Sequence, residues 1–251
     1  MQESASSMNS LINRPEWTLH WQMTVAERLA LQALLDRMRP ELSLEIGTYR
    51  GGSLQVLAHY SRQVISVDID SEVHTRLQPL FSNVEFRTGN SETLLPSLVE
   101  ELNQAGRHPD FVLIDADHST EAVRRDIEAV LKFTTSQPMV ILMHDSFNPD
   151  CRAGILSALW QSNSRVATVE VDFVQGVYHE KAHDTASART MWGGLACAFL
   201  DSRNRTGPLV ITQSHQALFD AIYPVSSHKS KIRAWFRRAR QAIRRRMKQG
   251  F

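Results

Sequence analysis

The chain has 251 residues, of which 42% are hydrophobic and 22% charged, with a formal net charge of +1. These values are typical of a soluble globular protein, and the length suits one α/β domain around a single core. No apolar run approaches the ~20 residues of a membrane span, and the polar start Met1–Ser10 is unlike a signal peptide. Cys151 and Cys197 are too few for a disulfide framework. We therefore expect a cytoplasmic protein.

The small net charge hides a basic C-terminal segment. Ten of the 28 basic residues lie between Lys229 and Lys248, and no acid interrupts them. One helical face of this segment would carry Ile232, Trp235, Phe236, Ala239, Ala242, Ile243 and Met247. Such a helix could bind an anionic membrane surface, nucleic acid or another subunit, or its own acidic body. We predict three regions: an extension 1–23, a domain 24–228 and an amphipathic helix 229–251.

The predicted elements alternate between helices and strands through the first 148 residues. A capping box, Thr24 to Glu27, opens a helix that Pro40 ends. Its apolar face would contain Leu29, Leu31, Leu34, Leu35 and Met38. The pattern then predicts strands at 42–46, 64–68, 83–87, 110–114 and 139–143, with helices at 52–60, 94–102 and 121–133. This alternation indicates right-handed crossovers and a doubly wound α/β sheet.

After Asn148 the pattern changes. It predicts a short helix at 154–160 and strands at 166–174 and 194–200, separated by a polar, histidine-rich stretch at 178–191. Trp17 and Trp21, near the N-terminus, indicate a segment that docks on the body or on a ligand.

A glycine turn joins the first strand to its helix over Leu42–Ser53. The dinucleotide pattern G-x-G-x-x-G is absent, because Tyr49 stands where its second glycine would be. The turn still presents backbone N–H groups to a polar ligand. Glu45 and Asp68 are acids at the ends of two neighbouring predicted strands. This pair suits a ligand that has a ribose and an ammonium group but no phosphate, as S-adenosylmethionine does.

Five motifs extend this inference to a family. They are E-I-G-T-Y-R-G-G-S (45–53), V-D-I-D (67–70), G-N-S (89–91), F-V-L-I-D-A-D-H-S (111–119) and V-I-L-M-H-D-S (140–146). In this order, within roughly residues 24–200, they resemble class I S-adenosylmethionine-dependent methyltransferases. The resemblance is closest to O-methyltransferases of the catechol and caffeoyl-CoA type, and it is shared with macrocin and cephalosporin-cluster proteins. It implies a Rossmann-like, mostly parallel seven-stranded sheet whose last pair is reversed, with 147–192 on the acceptor side.

The resemblance also implies how the donor is bound. Glu45 and Asp68 would hold its ammonium group and ribose, Tyr49 and Ser53 its methionine part, and Asn90 and Ser91 its adenine. The remaining predicted donor residues are Gly47, Thr48, Gly51, Ile69 and Asp115. Alternatively, Glu45 and Asp68 only cap neighbouring helices.

Two acids that follow adjacent strands, Asp115 and Asp145, coincide with the Mg²⁺ ligands of the metal-dependent relatives. Mg²⁺ or another divalent cation would there lower the pKa of an acceptor hydroxyl. The third predicted ligand is Ser146, a poor ligand that stands where relatives carry Asn or a carboxylate; His144 or Asn148 could replace it. Alternatively, the two acids only bind loop amides.

The predicted general base is a histidine. His118 stands where catechol-type relatives carry a catalytic lysine, and its unperturbed pKa of about 6.5 suits proton abstraction at neutral pH. His144, directly before Asp145, is the rival.

We therefore predict an O-methyltransferase that acts on a hydroxyl of a glycan or glycosylated small molecule, either free or lipid-linked. The alternatives are a metal-independent or N-directed methyltransferase and, in another class, a cofactor-binding or membrane-associated scaffold without catalysis. The sequence leaves open whether the protein binds the cytoplasmic face of a membrane and whether it forms homo-oligomers. Nucleic acid is the less favoured partner.

Overall fold

The protein folds around one large β-sheet that has helices on both faces. The structure is a computed structural model, and it describes residues 17–134, 136–179 and 190–221. Its helices are α1 (Val25–Met38), α2 (Gly52–Tyr60), α3 (Ser71–Leu77), α4 (Ser91–Gln104), α5 (Thr120–Val130) and α6 (Pro149–Ser157). Its strands are β1 (Leu42–Ile46), β2 (Gln63–Asp68), β3 (Val84–Thr88), β4 (Phe111–Ile114), β5 (Met139–His144), β6 (Val166–Val174), β7 (Val177–His179), β8 (Thr190–Trp192), β9 (Leu195–Leu200) and β10 (Ile211–Thr212). The predicted amphipathic helix 229–251, residues 1–16 of the predicted extension and most of the histidine-rich stretch lie outside the described residues.

The sheet has the strand order β10-β6-β9-β5-β4-β1-β2-β3. Strands β1 to β5 are parallel, and β9 runs antiparallel between β5 and β6. This confirms the doubly wound, Rossmann-like fold and its reversed pair. The expected count of seven strands is corrected to eight in the main sheet, because the two-residue strand β10 pairs with the outer edge of β6. So short a strand has no periodicity for a sequence pattern to detect.

Two apolar cores, one on each face of the sheet, hold the layers together. Alternate residues of one strand enter different cores: Val112 and Ile114 of β4 pack with helices α4 to α6, whereas Phe111 and Leu113 pack with α1 to α3. All four side chains are at most 3% exposed. Burial on both faces explains why β4 is a continuous apolar run rather than an alternating one.

Helix α1 begins with the predicted capping box. Thr24 accepts a hydrogen bond from the backbone of Glu27, and the Glu27 carboxylate accepts one from the backbone of Thr24. The predicted apolar face is partly wrong: Leu31 and Leu35 are fully buried, but Leu29 is 37% exposed.

Two helices begin earlier than predicted because an asparagine caps each of them. The Asn148 side chain accepts from the backbone of Asp150 and Cys151, so α6 begins at Pro149 rather than near 154. The Asn90 side chain likewise accepts from Glu92, so α4 begins at Ser91. The side chain of an N-cap asparagine satisfies backbone N–H groups that would otherwise lack a partner.

The segment before α1 lies against the body, as Trp17 and Trp21 indicate. Both indoles pack on the core of α1 to α3. Gln55 of α2 accepts a hydrogen bond from the Leu19 backbone N–H at 3.0 Å and donates one to the Leu19 carbonyl at 3.2 Å. Among the described residues, no helix is both long and apolar enough to cross a membrane.

Candidate active site

Cavities open where the parallel strands end, the edge at which open α/β sheets bind ligands. The first, which we call the donor cavity, has a volume of about 480 Å³. Its lining contains most of the predicted donor residues: Gly47, Tyr49, Asp68, Ile69, Asn90, Ser91 and Asp115. The structure therefore brings together residues from four separate strand ends, as the motifs predict.

Asp68 lines the donor cavity and shapes the glycine turn. Its Oδ2 atom accepts hydrogen bonds from the backbone N–H groups of Thr48 and Tyr49, both at 2.9 Å, and its Oδ1 atom accepts one from Asp70. A carboxylate has about four lone-pair sites, and these three hydrogen bonds leave about one of them, so Asp68 can hold the turn and still accept a ligand hydroxyl. Tyr49 is fixed in a left-handed conformation with φ of 50°.

Glu45 does not line the donor cavity. Its side chain is fully buried and accepts hydrogen bonds from Ser53 at 2.6 Å and Ser66 at 3.3 Å. That Glu45 holds the donor ammonium stays a prediction. A carboxylate beneath the turn can orient Ser53, whereas Asp115 reaches the cavity itself.

The burial of Glu45 has a measurable consequence. Burial raises the pKa of Glu45 from 4.5 to about 8, so the folded state binds this proton more tightly than the unfolded state. The contribution of Glu45 to the free energy of unfolding should therefore fall as pH rises from 4.5 towards 8, by up to about 1.4 kcal/mol per pH unit. Urea unfolding across this range should show a smaller decline in Glu45→Gln than in the wild type, in which the raised pKa values of His118 and His144 also contribute. The exposed Glu100→Gln should keep the wild-type decline, and an unchanged slope in Glu45→Gln would contradict the raised pKa.

The second cavity, which we call the acceptor cavity, has a volume of about 410 Å³. Tyr49 and Asp115 line both cavities, so the two spaces meet at these side chains. The rest of its lining is Gln22, Thr24, Glu27, His118, His144, Asp145, Val177, Trp192 and Gly193. A donor in the first cavity would therefore face an acceptor in the second.

Two histidines and two aspartates form a compact charged cluster on the wall of the acceptor cavity. The Nε2 atom of His118 lies 2.8 Å from Oδ2 of Asp145. The Nδ1 atom of His144 lies 3.1 Å from Oδ1 of Asp115 and 3.5 Å from Oδ2 of Asp145. The side chain of His118 is 43% exposed, whereas that of His144 is 6% exposed. Both predicted bases are thus in the site, in different environments.

The cluster shifts the pKa values of its members. The hydrogen bond to Asp145 raises the pKa of His118, although burial opposes this. Burial alone would lower the pKa of His144, but the charge of Asp115 and the hydrogen bonds with the surrounding carboxylates raise it well above its ordinary value. Burial also acts to raise the pKa of Asp145, yet the hydrogen bonds from both histidines hold it well below its usual range.

Glu27 is a site residue that the sequence analysis missed. Its buried carboxylate accepts hydrogen bonds from the backbone of Thr24 and Gly194, and its Oε2 atom lies 3.5 Å from Nε2 of His144. The capping box alone accounts for a glutamate at this position, so no sequence signal distinguished Glu27 from an ordinary cap.

The turn Gly193-Gly194 follows Trp192 of the acceptor-cavity wall, and its backbone contacts Asp145 and Glu27. The backbone N–H of Gly193 donates to Asp145 Oδ1 at 2.6 Å, and that of Gly194 donates to Glu27. Trp192, directly before the turn, meets His118 edge to face, with ring centroids 5.5 Å apart. Asp145 and Glu27 therefore fix the position of an aromatic cavity wall.

Ser146 lies outside the charged cluster. It is fully buried and does not line the acceptor cavity. Among the histidine, cysteine, aspartate and glutamate side chains of the described residues, Asp115, His144 and Asp145 have potential ligand atoms that all lie within 4.8 Å of one another. Ser146 as the third ligand stays a prediction.

Comparison with known proteins identifies the domain. The model of a methyltransferase domain matches residues 44–146, and no curated protein matches the chain. Among solved structures, cofactor-bound Rv0187 from MTB has a TM-score of 0.54 at 19% identity, covering 80% of this chain and 97% of that one. An O-methyltransferase from Bacillus cereus in complex with SAH has a TM-score of 0.50 at 20% identity, covering 78% and 89%. The O-methyltransferase TomG from Streptomyces achromogenes, in complex with SAM, has a TM-score of 0.52 at 16% identity, covering 79% and 90%.

The solved structures share the fold, and the family model assigns the glycine turn and the strand ends to a methyltransferase domain. Residues 44–146 therefore match a methyltransferase domain, and the chain has the fold of these solved structures.

Asp68 should contribute strongly to donor binding. Replacing it with alanine removes a charged acceptor and loosens the turn, so the affinity for S-adenosylhomocysteine should fall by about 1–3 kcal/mol, or about 5- to 150-fold. Calorimetry measures this directly. Asp110→Ala, which removes a carboxylate at the opposite end of the sheet, should bind like the wild type. Equal affinities of Asp68→Ala and Asp110→Ala would contradict the role of Asp68.

Proposed function

We propose that the protein transfers a methyl group from S-adenosylmethionine to an oxygen of a small hydroxyl-bearing acceptor, with His118 as general base. The main support for this proposal is the 2.8 Å contact between His118 and Asp145 on the wall of the acceptor cavity. The donor supplies an electrophilic methyl on a sulfonium, so the protein has to align the acceptor oxygen and remove its proton.

The contact with Asp145 favours one tautomer of His118. An ionised carboxylate only accepts hydrogen bonds, so the Nε2 atom that faces Asp145 carries the proton. The Nδ1 atom then keeps its lone pair and can accept the proton of an acceptor hydroxyl. Asp145 stabilises the imidazolium that results, and its own backbone is held in a left-handed conformation with φ of 57°.

His144 is less suited to be the base. Its Nδ1 atom faces Asp115 and its Nε2 atom faces Glu27. Both ring nitrogens are therefore directed at carboxylates, and neither is available to an acceptor hydroxyl. This contrast favours His118 over His144.

The donor set of the cluster does not fit Mg²⁺ well. Mg²⁺ requires oxygen ligands in near-octahedral geometry, whereas the third group beside Asp115 and Asp145 is an imidazole. The proposed proton transfer therefore uses His118 and Asp145 alone.

The acceptor cavity suits a ring-shaped polar molecule. It combines an aromatic side chain, Trp192, with polar side chains that include Gln22 and His118. We propose a hydroxyl of a glycan or glycosylated small molecule as the acceptor. Two of the structures with this fold are O-methyltransferases, and that from Streptomyces achromogenes is involved in tomaymycin synthesis, which supports a small-molecule acceptor.

Methyl-labelled S-adenosylmethionine and an acceptor library with hydroxyl, amine and glycosylated members test the proposal. Transfer to a hydroxyl supports it, and transfer to amines alone would establish the N-directed alternative. Donor binding without transfer to any member would favour a scaffold protein.

The basic segment 229–248 lies outside the described residues, and we propose that it holds the enzyme at the cytoplasmic face of an anionic membrane, near a lipid-linked acceptor. Vesicle co-sedimentation should show binding of the full chain to anionic but not neutral lipid, and the binding should weaken as salt screens the charges. A chain truncated after residue 228 should remain in solution but still bind S-adenosylhomocysteine. Equal sedimentation of the two proteins would contradict the membrane role.

A further inference from the structure

A buried ion pair binds the segment 211–219, which contains β10, to the body of the protein. The guanidinium of Arg152 in α6 donates to the carboxylate of Asp172 in β6 at 2.6 and 3.2 Å, and the two side chains are 2% and 0% exposed. The same guanidinium donates to Gln216 at 2.9 Å and to Gln213 at 3.3 Å. A buried ion pair is weak evidence for stability, because desolvation of both charges offsets their attraction. Its hydrogen bonds do fix where the segment 211–219 lies.

Phe219 extends this contact towards the strand that carries the candidate site. The Arg152 guanidinium lies over the Phe219 ring, 4.5 Å from its centroid, and the rings of Phe219 and Phe147 meet edge to face at 6.3 Å. A cation over an aromatic face is attracted to it, and more strongly away from water. Phe147, Met191 and Phe219 form a buried apolar cluster, in which they are 0%, 1% and 7% exposed. The segment 211–219 therefore covers Phe147, which follows β5.

Phe147 packs against the backbone at both ends of the small two-stranded sheet formed by β7 and β8. Its backbone N–H donates to the Gly193 carbonyl at 3.0 Å. A Cβ on Gly194 would lie 2.6 Å from the Phe147 ring, and one on Gly176 would lie 2.5 Å from the Phe147 Cβ. Gly176 directly precedes β7, and the glycine pair directly follows β8. The position of Phe147 therefore fixes the position of this small sheet.

The small sheet forms part of the wall of the acceptor cavity. Val177 of β7 and Trp192 of β8 line that cavity and pair with each other across the sheet. Met191, the neighbour of Trp192 in β8, packs instead with Phe219, as expected because adjacent strand residues point to opposite faces. Phe219 and Arg152 line neither cavity. A displacement of Phe219 would thus reach Trp192 through the backbone of one strand.

We propose that Arg152 and Phe219 are positioning residues of the acceptor cavity, which act through Phe147 and β8 on the place of Trp192. This inference rests on the proposed function, since that function assigns acceptor binding to the cavity. A cavity wall contacts the substrate and the transition state alike, so its displacement should raise KM for the acceptor more than it lowers kcat. The donor cavity lies at the ends of other strands and should keep its affinity.

Hydrogen exchange and steady-state kinetics of full-length Phe219→Ala test the inference. Without acceptor, the backbone of 191–195 should exchange at least about 10-fold faster than in the wild type, whereas that of 45–53 should keep its protection. With the hydroxyl acceptor found in the library, KM for the acceptor should rise at least about 10-fold and kcat should change less than about 3-fold. Phe173→Ala removes a 40% exposed phenylalanine of β6 that lines neither cavity. This matched control should change neither quantity.

Phe219→Leu keeps an apolar side chain against Phe147 and should recover most of both effects. Unchanged exchange at 191–195 in Phe219→Ala, or an acceptor KM equal to that of the wild type, would overturn the inference. If Phe219→Ala does not fold, Gln216→Ala removes the 2.9 Å hydrogen bond to Arg152 and should change exchange and KM in the same direction; no change in either would overturn the inference. If the wild type transfers no methyl group to any acceptor, the proposed function fails, and the exchange result alone decides whether Phe219 holds the wall.

Discussion

Replacing His118 with glutamine should lower turnover at least about 100-fold, the usual contribution of a general base. The affinity for S-adenosylhomocysteine should remain close to that of the wild type, because His118 lines the acceptor cavity and not the donor cavity. Glutamine keeps a hydrogen-bonding group near Asp145 but cannot take a proton at neutral pH. Initial rates with the acceptor found in the library, together with donor calorimetry, measure both effects.

His59→Gln is the matched control for this prediction. His59 is an exposed histidine of α2 that lines neither cavity, so the variant should retain full turnover. If His144→Gln loses turnover while His118→Gln keeps it, the assignment of the base to His118 is wrong.

Gly47→Ala should lower the free energy of unfolding by more than about 4 kcal/mol, among the largest effects of a single substitution. Gly47 has φ of +93°, and a Cβ there would overlap the backbone of Asp115 and Ala116. Asp115 and Ala116 directly follow β4, so their backbone cannot move without displacing Asp115, which lines both cavities. Urea unfolding measures the loss, and any folded variant should bind the donor poorly.

Gly106→Ala distinguishes the cost of the atomic overlap at Gly47 from the cost of backbone strain. Gly106 also has a positive φ, +62°, but a Cβ there would have no atom within 4 Å. This variant should lose only about 1–2 kcal/mol, the cost of the left-handed conformation for a residue with a Cβ. Equal losses of unfolding free energy for the two variants would show that the close approach of Gly47 to the segment after β4 does not contribute to stability.

The sequence predicted the elements whose patterns are local. β1 and β6 have the predicted bounds, and α1 begins at its capping box. Hydrophobic periodicity and caps act over a few residues, and a single sequence contains that information. The sequence signals for the early starts of α4 and α6 are also local, since Asn90 and Asn148 are ordinary N-caps. Asn90 and Asn148 also stand at the positions of a predicted adenine contact and a possible metal ligand, so the sequence alone does not distinguish their capping role from these.

The parts of the candidate site that the sequence did not reveal depend on contacts between distant residues. Glu27 and His144 are far apart in the chain, and only the packing of α1 beside β5 brings them together. Glu45 precedes the glycine turn by two residues, yet its side chain turns towards Ser53 and Ser66 beneath the loop. A side chain's direction at a strand end depends on its neighbours in the sheet. The motifs therefore predicted which residues meet at this end of the sheet, whereas the structure separated residues on the cavity walls from residues behind them.

Calorimetry of the wild-type protein with S-adenosylhomocysteine tests the central claim most directly. The donor cavity, with Asp68 and the glycine turn on its wall, predicts binding of one molecule per chain in the micromolar range, without added metal and without acceptor. Absence of heat at a millimolar concentration of the ligand, in a protein shown to be folded, would contradict the account.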